Sequence, residues 1–251
     1  MFTEFQYRWL RKHYPGDPGD ITASLTGESR LRTQLGEDFF AAILGKTVVD
    51  FGCGQGSEAI EMARAGAAQV IGIDIREDVL QAAADGAREA GLSDRCKFQS
   101  ALPKTADIVV SLDAFEHFAD PPEVLEIMSR LLPAGGQVFI SFGPTWYHPL
   151  GGHLFSVFPW AHLLFSEEAL IQWRSDFKTD GATRFSEVAG GLNQMTIHRF
   201  EQIVQKSPFV IQTLETVPIR KFRPIHNRLT REFTTSVVRC RLVKRGRPGA
   251  G

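Results

Sequence analysis

An eleven-residue stretch, Val48-Val49-Asp50-Phe51-Gly52-Cys53-Gly54-Gln55-Gly56-Ser57-Glu58, constrains this chain more than any other. Residues 46–51 read as a short buried strand, β-branched and uncharged past the lysine. Residues 58–64 then carry apolar side chains at helical spacing, Ile60 with Ala63 and Ala59 with Met62. Three glycines alternate between the two. Without a Cβ the backbone can turn sharply there and lie directly against a ligand. The amides that open the following helix have no partner within it and present positive ends. A strand, a glycine turn and a helix in that order make a pocket for a nucleotide-type cofactor. A plain linking turn is the alternative, and the flanking pattern argues against it.

The spacing of the glycines narrows the cofactor. A dinucleotide fingerprint, G-x-G-x-x-G, needs its third glycine where this chain has Ser57, whereas Gly56 comes one residue early. The pattern is instead D-x-G-x-G-x-G, starting from Asp50. A second apolar run, Val70-Ile71-Gly72-Ile73, ends on Asp74, twenty-two residues beyond Gly52. An acid at that point typically accepts hydrogen bonds from ribose hydroxyls. Taken alone, Asp74 reads better as a cap for the helix expected over 77–88, and it is the glycine loop beside it that favours the ribose reading. Further on, Ser111-Leu112-Asp113-Ala114-Phe115-Glu116-His117 closes a fourth apolar run, and Leu131-Leu132-Pro133-Ala134-Gly135-Gly136 leads into a fifth.

These motifs together resemble the class I, Rossmann-like S-adenosylmethionine-dependent methyltransferases, in their small-molecule (type 11-like) branch. The resemblance is strong over 46–143 and looser over the last helix and strands. It implies S-adenosylmethionine as cofactor and S-adenosylhomocysteine as product. Asp50, Phe51, Gly52, Cys53, Gly54 and Gly56 would then surround the methionine part, with Asp50 near its ammonium. Asp74 and Ile75 would meet the nucleoside. Ser100 and Ala101 stand where many relatives carry an acid that contacts adenine, so that contact falls to a backbone amide. Leu112 and Asp113 would lie near the sulfonium or the acceptor. The loop is not Asn/Asp-Pro-Pro-Tyr/Phe, and no Pro-Cys pair follows. The subclasses that methylate planar amino nitrogens or cytosine carbon are therefore disfavoured.

Strand and helix go on alternating: strands at 97–100, 106–112 and 137–142, a helix at 121–132, a helix at 196–206, and strands at 209–217 and 234–243. The expected fold is an α/β three-layer Rossmann-like sandwich. Its sheet has seven mostly parallel strands, the last antiparallel, with a lid inserted after the fifth. Amphipathic segments at 3–13 and 28–44 make residues 1–44 an N-terminal helical cover, broken by Pro15-Gly16-Asp17-Pro18-Gly19-Asp20. Residues 45–143 and 193–244 form the cofactor-binding core, and 245–251 a disordered tail. Arg30 and Arg32 read as solvated charge, as does the basic hairpin loop Arg220-Lys221-Phe222-Arg223-Pro224.

Between 144 and 192 the alternation stops. Three of the four tryptophans (Trp146, Trp160, Trp173) and three of the seven histidines (His148, His153, His162) fall there. So long an excursion at the ligand edge of a sheet is usually functional, and aromatic walls suit an apolar or aromatic acceptor. The candidate catalytic residues are His153 and His162 as general base, His117, and Asp113. His117 also reads as a loop anchor. The histidine spacing matches no common zinc pattern, so no metal is expected. Gly151-Gly152 and Gly190-Gly191 read as hinges or as plain turns.

Composition sets the remaining limits. At 251 residues the chain can bury a large core, and a net charge of −1 lacks the basic excess of a nucleic-acid binder. Three cysteines form no disulfide framework, no signal-peptide pattern opens the chain, and no apolar run approaches a membrane span. The expectation is a cytoplasmic enzyme acting on a small molecule, with neither nucleic acid nor membrane as partner. Two alternatives stand beside it: an NAD(P)-dependent oxidoreductase, which lacks an evident Tyr-x-x-x-Lys pair, and a non-catalytic cofactor-binding scaffold.

Overall fold

The computed structural model describes residues 2–16, 29–188 and 191–246. Pro18-Gly19-Asp20 of the N-terminal break, Gly190 of the second glycine pair and the tail from 247 lie outside the described residues. Seven strands make one sheet: β1 (Thr47–Phe51), β2 (Gln69–Ile73), β3 (Cys96–Gln99), β4 (Ile108–Leu112), β5 (Gln137–Phe142), β6 (Phe209–Pro218) and β7 (Thr235–Lys244). Their spatial order is β3-β2-β1-β4-β5-β7-β6, parallel except for β7, which runs antiparallel to both neighbours. The three-layer fold with an antiparallel last strand is as expected from the sequence.

This order decides where a ligand can sit. The chain leaves β1 toward β2 and β3, then returns to place β4 on the other side of β1. Helices leaving β1 and β4 therefore cover opposite faces, and a crevice opens at the carboxyl ends of those two strands. The glycine turn follows β1 and the acidic, aromatic loop follows β4, so both motifs reach the crevice.

Both faces of the sheet are covered. On one, α6 (Pro121–Leu131) and α9 (Ile197–Lys206) bring Leu125, Met128, Phe200 and Val204 against Val109, Ile140 and Phe142. On the other, α3 (Glu37–Ile43), α4 (Ser57–Arg64) and α5 (Glu77–Glu89) bring Phe39, Ile43, Met62 and Ala87 against Val48, Val70 and Val110. Local chemistry starts these helices where the sequence marks them. The Asp120 side chain accepts from the Glu123 amide with proline next in line, and Thr196 accepts from the Arg199 amide.

The N-terminal segment differs from its expected form. The single helix over 28–44 is two, α2 (Arg30–Leu35) and α3, because Gly36 takes φ +75° and turns the chain between them. Meanwhile α1 (Phe2–His13) leaves the sheet and packs on the excursion after β5, which holds α7 (Ala161–Leu164), α8 (Glu167–Arg174) and single 3-10 turns. Leu10, Phe155, Leu170, Trp173 and Phe185 form a third core of their own there. A short helix, α10 (Arg231–Thr234), precedes β7.

Candidate functional site

Each glycine of the turn does a different job. At Gly56 (φ +77°) an added Cβ would lie 2.7 Å from the Phe98 ring and 2.8 Å from Ala83, so this residue lets α4 settle on the sheet. At Gly52 (φ +85°) it would lie 2.8 Å from the Ala114 Cβ, which joins the turn to the loop after β4. Gly54 (φ +50°) has nothing within 4 Å of that position, and is the point where the turn lies open. Gly52 and Cys53 donate their amides to the Ile73 carbonyl, which fixes the turn against β2. The Cys53 side chain points inward against Gly72, and burial pushes its thiol far up.

Acids crowd this turn. Asp50 is buried, and its Oδ2 has no hydrogen-bond partner among the described residues. Burial, reinforced by Glu58 and Asp74 against a partial offset from Arg30, pushes its carboxyl up to about 8. Asp74 accepts from the Gly54 amide at 3.0 Å and from the Arg76 amide and guanidinium at 3.0 and 3.2 Å. Its burial works against ionisation, but the Arg76 and Gly54 donors win and hold it below the usual carboxylate range. Ile75, beside it, is almost wholly exposed, and Ser100 and Ala101 just past β3 are exposed. Phe51 and Leu112 are buried in the strands themselves.

Arg30 is not solvated charge. Its guanidinium pairs with Asp113 and lies 3.5 Å from Glu58, spanning the mouth of the turn. Gln34, one helical turn on, donates to Asp113 at 3.0 Å and accepts from the Ser141 hydroxyl. Asp113 itself sits at φ +46°. Helix α2 is thus latched by polar side chains across the carboxyl ends of β4 and β5. The sequence signal was the (i, i+4) spacing of Arg30 and Gln34, which carries no meaning until the partner acid is known.

The loop after β4 continues as a 3-10 turn, Phe115–His117. Glu116 is buried, accepts from the Gly143 amide at 3.1 Å, and is pushed up to about 8 by burial and then by Asp113. His117 Nδ1 lies 2.8 Å from the Gly191 carbonyl, so Nδ1 carries the proton and Nε2 is the bare nitrogen. Its ring meets His153 edge-on at 5.2 Å. His153, at φ +46°, places Nε2 3.4 Å from the Pro144 carbonyl. A cavity of about 460 Å³ opens here, walled by Phe118, Phe185 and Leu192 and carrying His117, Arg184 and Arg199 at its polar points. Phe118 also packs on Phe51 and lies beside Gly52, so cavity and glycine turn share a wall.

His162 stands apart. It is buried, its Nε2 donates to the Trp146 carbonyl at 2.6 Å, and its ring fills the space beside Gly152. Burial pushes its ring below the usual imidazole range, against a partial offset from the Trp146 carbonyl, and burial with His162 nearby takes His148 down to about 4. Among the described residues no group of three or more histidines, cysteines or acids could hold a metal ion.

Residues 44–145 match a family model described as a methyltransferase domain. Over 146 residues the chain is 33% identical to the ubiquinone biosynthesis O-methyltransferase of Methylococcus capsulatus, covering 56% of this chain and 58% of that protein. It is 38% identical over 98 residues to the ribosomal protein L11 methyltransferase of Pectobacterium carotovorum, covering 39% of this chain and 33% of that one. The chain thus spans a third to somewhat over half the length of these relatives. The geranyl diphosphate C-methyltransferase of Streptomyces coelicolor superposes with a TM-score of 0.55 at 15% identity, covering 82% of this chain and 77% of that one. The last likeness is one of fold.

Proposed function

We propose that the chain is a class I, Rossmann-like S-adenosylmethionine-dependent methyltransferase that methylates a small-molecule acceptor on oxygen, nitrogen or carbon; the match of residues 44–145 to a methyltransferase-domain family model supports this reading. The observation that carries this reading is the buried Asp50, whose Oδ2 has no hydrogen-bond partner among the described residues, on the strand that leads into the open Gly54 turn. A buried acid left without a partner is costly, and a cationic ligand relieves it. Asp50, Glu58, Asp74 and Asp113 surround the turn, four acids against the two cations Arg30 and Arg76. That field favours a sulfonium bearing an ammonium and repels a pyrophosphate, which disfavours the dinucleotide alternative.

When bound, the cofactor supplies a methyl group already activated on sulfur. The chain's residues hold and shield the reactants. Asp50 and the backbone at Gly54 face the amino-acid end, and Arg30 offers a guanidinium to its carboxylate. Asp74 and Ile75 border the nucleoside, with Ser100 and Ala101 beyond. The acceptor occupies the cavity beside Phe118, an apolar or aromatic body against Phe185 and Leu192. His117 is the better-placed base, since its Nδ1–H is held by a carbonyl and the residue belongs to the cavity lining. His153 flanks it, Asp113 is tied to α2, and His162 serves lid packing. Alignment and exclusion of water do most of the catalytic work.

Calorimetric titration separates the readings. S-adenosylhomocysteine should bind and NADH should not; the reverse would overturn the proposal. With an acceptor panel, His117→Ala should cut turnover by about a hundredfold while leaving cofactor affinity in place. Tight cofactor binding without turnover on any acceptor would favour the scaffold alternative.

A further inference from the structure

The connection from β6 to β7 is strongly basic. Residues 219–234 contain five basic side chains (Arg220, Lys221, Arg223, Arg228 and Arg231) against a single acid, Glu232. Glu232 is engaged, accepting from the Ile197 and His198 amides at the start of α9, and Arg231 pairs with Glu201 at 2.6 Å. The other four cations are exposed, with no ion pair among the described residues. Three large apolar side chains project from the same stretch: Leu229 is 91% exposed, Ile225 56% and Phe233 47%.

The backbone beneath them is well tied, so these side chains are held outward. Leu229 donates its amide to Asn227 Oδ1 at 2.8 Å, and the Thr230 hydroxyl donates to the Ile225 carbonyl at 2.6 Å. His226 bridges the Thr216 and Thr234 hydroxyls at 3.0 and 2.7 Å. The patch continues onto the lid. Phe222 stacks on Trp160 at an interplanar angle of 17°, and Phe233 meets Tyr147. Directly after Trp160, α7 exposes Leu163 and Leu164. Gln6 of α1 donates to the Leu164 carbonyl, and α1 in turn exposes Phe2 and Phe5.

From this arrangement we infer that the β6–β7 connection and the outer face of the lid form a docking surface for an anionic lipid bilayer. Apolar tips ringed by unpaired cations match the two attractions such a surface offers, burial below the headgroups and negative charge above them. A second copy of the chain fits poorly, because a two-fold contact would set these cations against themselves. A nucleic acid fits poorly as well, since aliphatic Leu229 and Ile225 gain nothing from a phosphate backbone. No helix among the described residues is long and apolar enough to cross a membrane, so the contact is with a surface. The inference stands independently of methyl transfer.

Co-sedimentation with vesicles tests it. The protein should pellet with vesicles of phosphatidylcholine mixed with phosphatidylglycerol, and not with phosphatidylcholine alone. The double variant Ile225→Ser, Leu229→Ser should weaken that partition by about tenfold or more. The pair Lys221→Glu, Arg228→Glu should weaken it and flatten its salt dependence. Both pairs are exposed, so circular dichroism and S-adenosylhomocysteine affinity should match the parent. No pelleting with anionic vesicles, or pelleting indifferent to the serine pair, overturns the inference. So does a dimer that the serine pair converts to monomer, or tight binding to a duplex oligonucleotide with no affinity for the vesicles.

Discussion

The sheet crevice and the lid are built by opposite means. Around the crevice, strands of four to six residues lie in parallel register, and hydrogen-bonded turns hold each motif at the end of its own strand. The lid has little regular structure. It coheres through aromatic contacts, Phe155 on Phe185 at 4.5 Å and Trp9 on Phe165 at 5.4 Å, and through α1, which arrives from the far end of the chain. Trp173 donates to the Tyr14 carbonyl, a separation of 159 residues. One region is a hydrogen-bonded sheet ending in the glycine turn; the other rests on a small core of its own.

Trp173→Ala should therefore have the largest effect. Trp173 fills the centre of the lid core, and its loss should cost roughly 3–5 kcal/mol. The damage should stay local: an early partial transition in thermal unfolding, with S-adenosylhomocysteine affinity retained. A single lowered transition with lost affinity would mean that lid and crevice are one unit.

Next comes a pair within the turn. Gly54→Val should lower cofactor affinity at least a hundredfold with modest loss of stability, because space is open there and the ligand would fill it. Gly56→Val should do the reverse, forcing Phe98 and Ala83 apart at a cost of about 1–3 kcal/mol plus the strain of a positive φ. If Gly54→Val binds normally, the cofactor lies elsewhere.

Protons give a smaller effect. Asp50 titrates near 8 in the folded chain and near 3.8 unfolded, so between those values the unfolded state gives up its proton first. Stability of the cofactor-free protein should then fall as pH rises from about 4 to 8, and Glu116 adds to the same slope. A sulfonium ligand stabilises the ionised Asp50, so binding at pH 7 should release roughly one proton. Calorimetry in buffers of different ionisation enthalpy measures this, and Asp50→Asn should abolish it. Smallest is Arg30→Ala, worth a few-fold in cofactor affinity because the guanidinium is half exposed. A larger loss would show that α2 closes the crevice.

What the sequence alone could decide was whatever rests on neighbours along the chain. Alternating strands and helices, the glycine spacing, Asp74 ending its strand, and proline and threonine at helix starts are local rules, and each holds in the folded protein. Arg30 reaching Asp113, and His117 rather than His162 lining the cavity, depend on contacts between distant residues. His162 and His117 carry the same side chain. Only packing puts one ring against Gly152, its Nε2 bound to a carbonyl, and leaves the other residue in the cavity wall. Position within a fold, which no local pattern encodes, turns a shared chemistry into different roles.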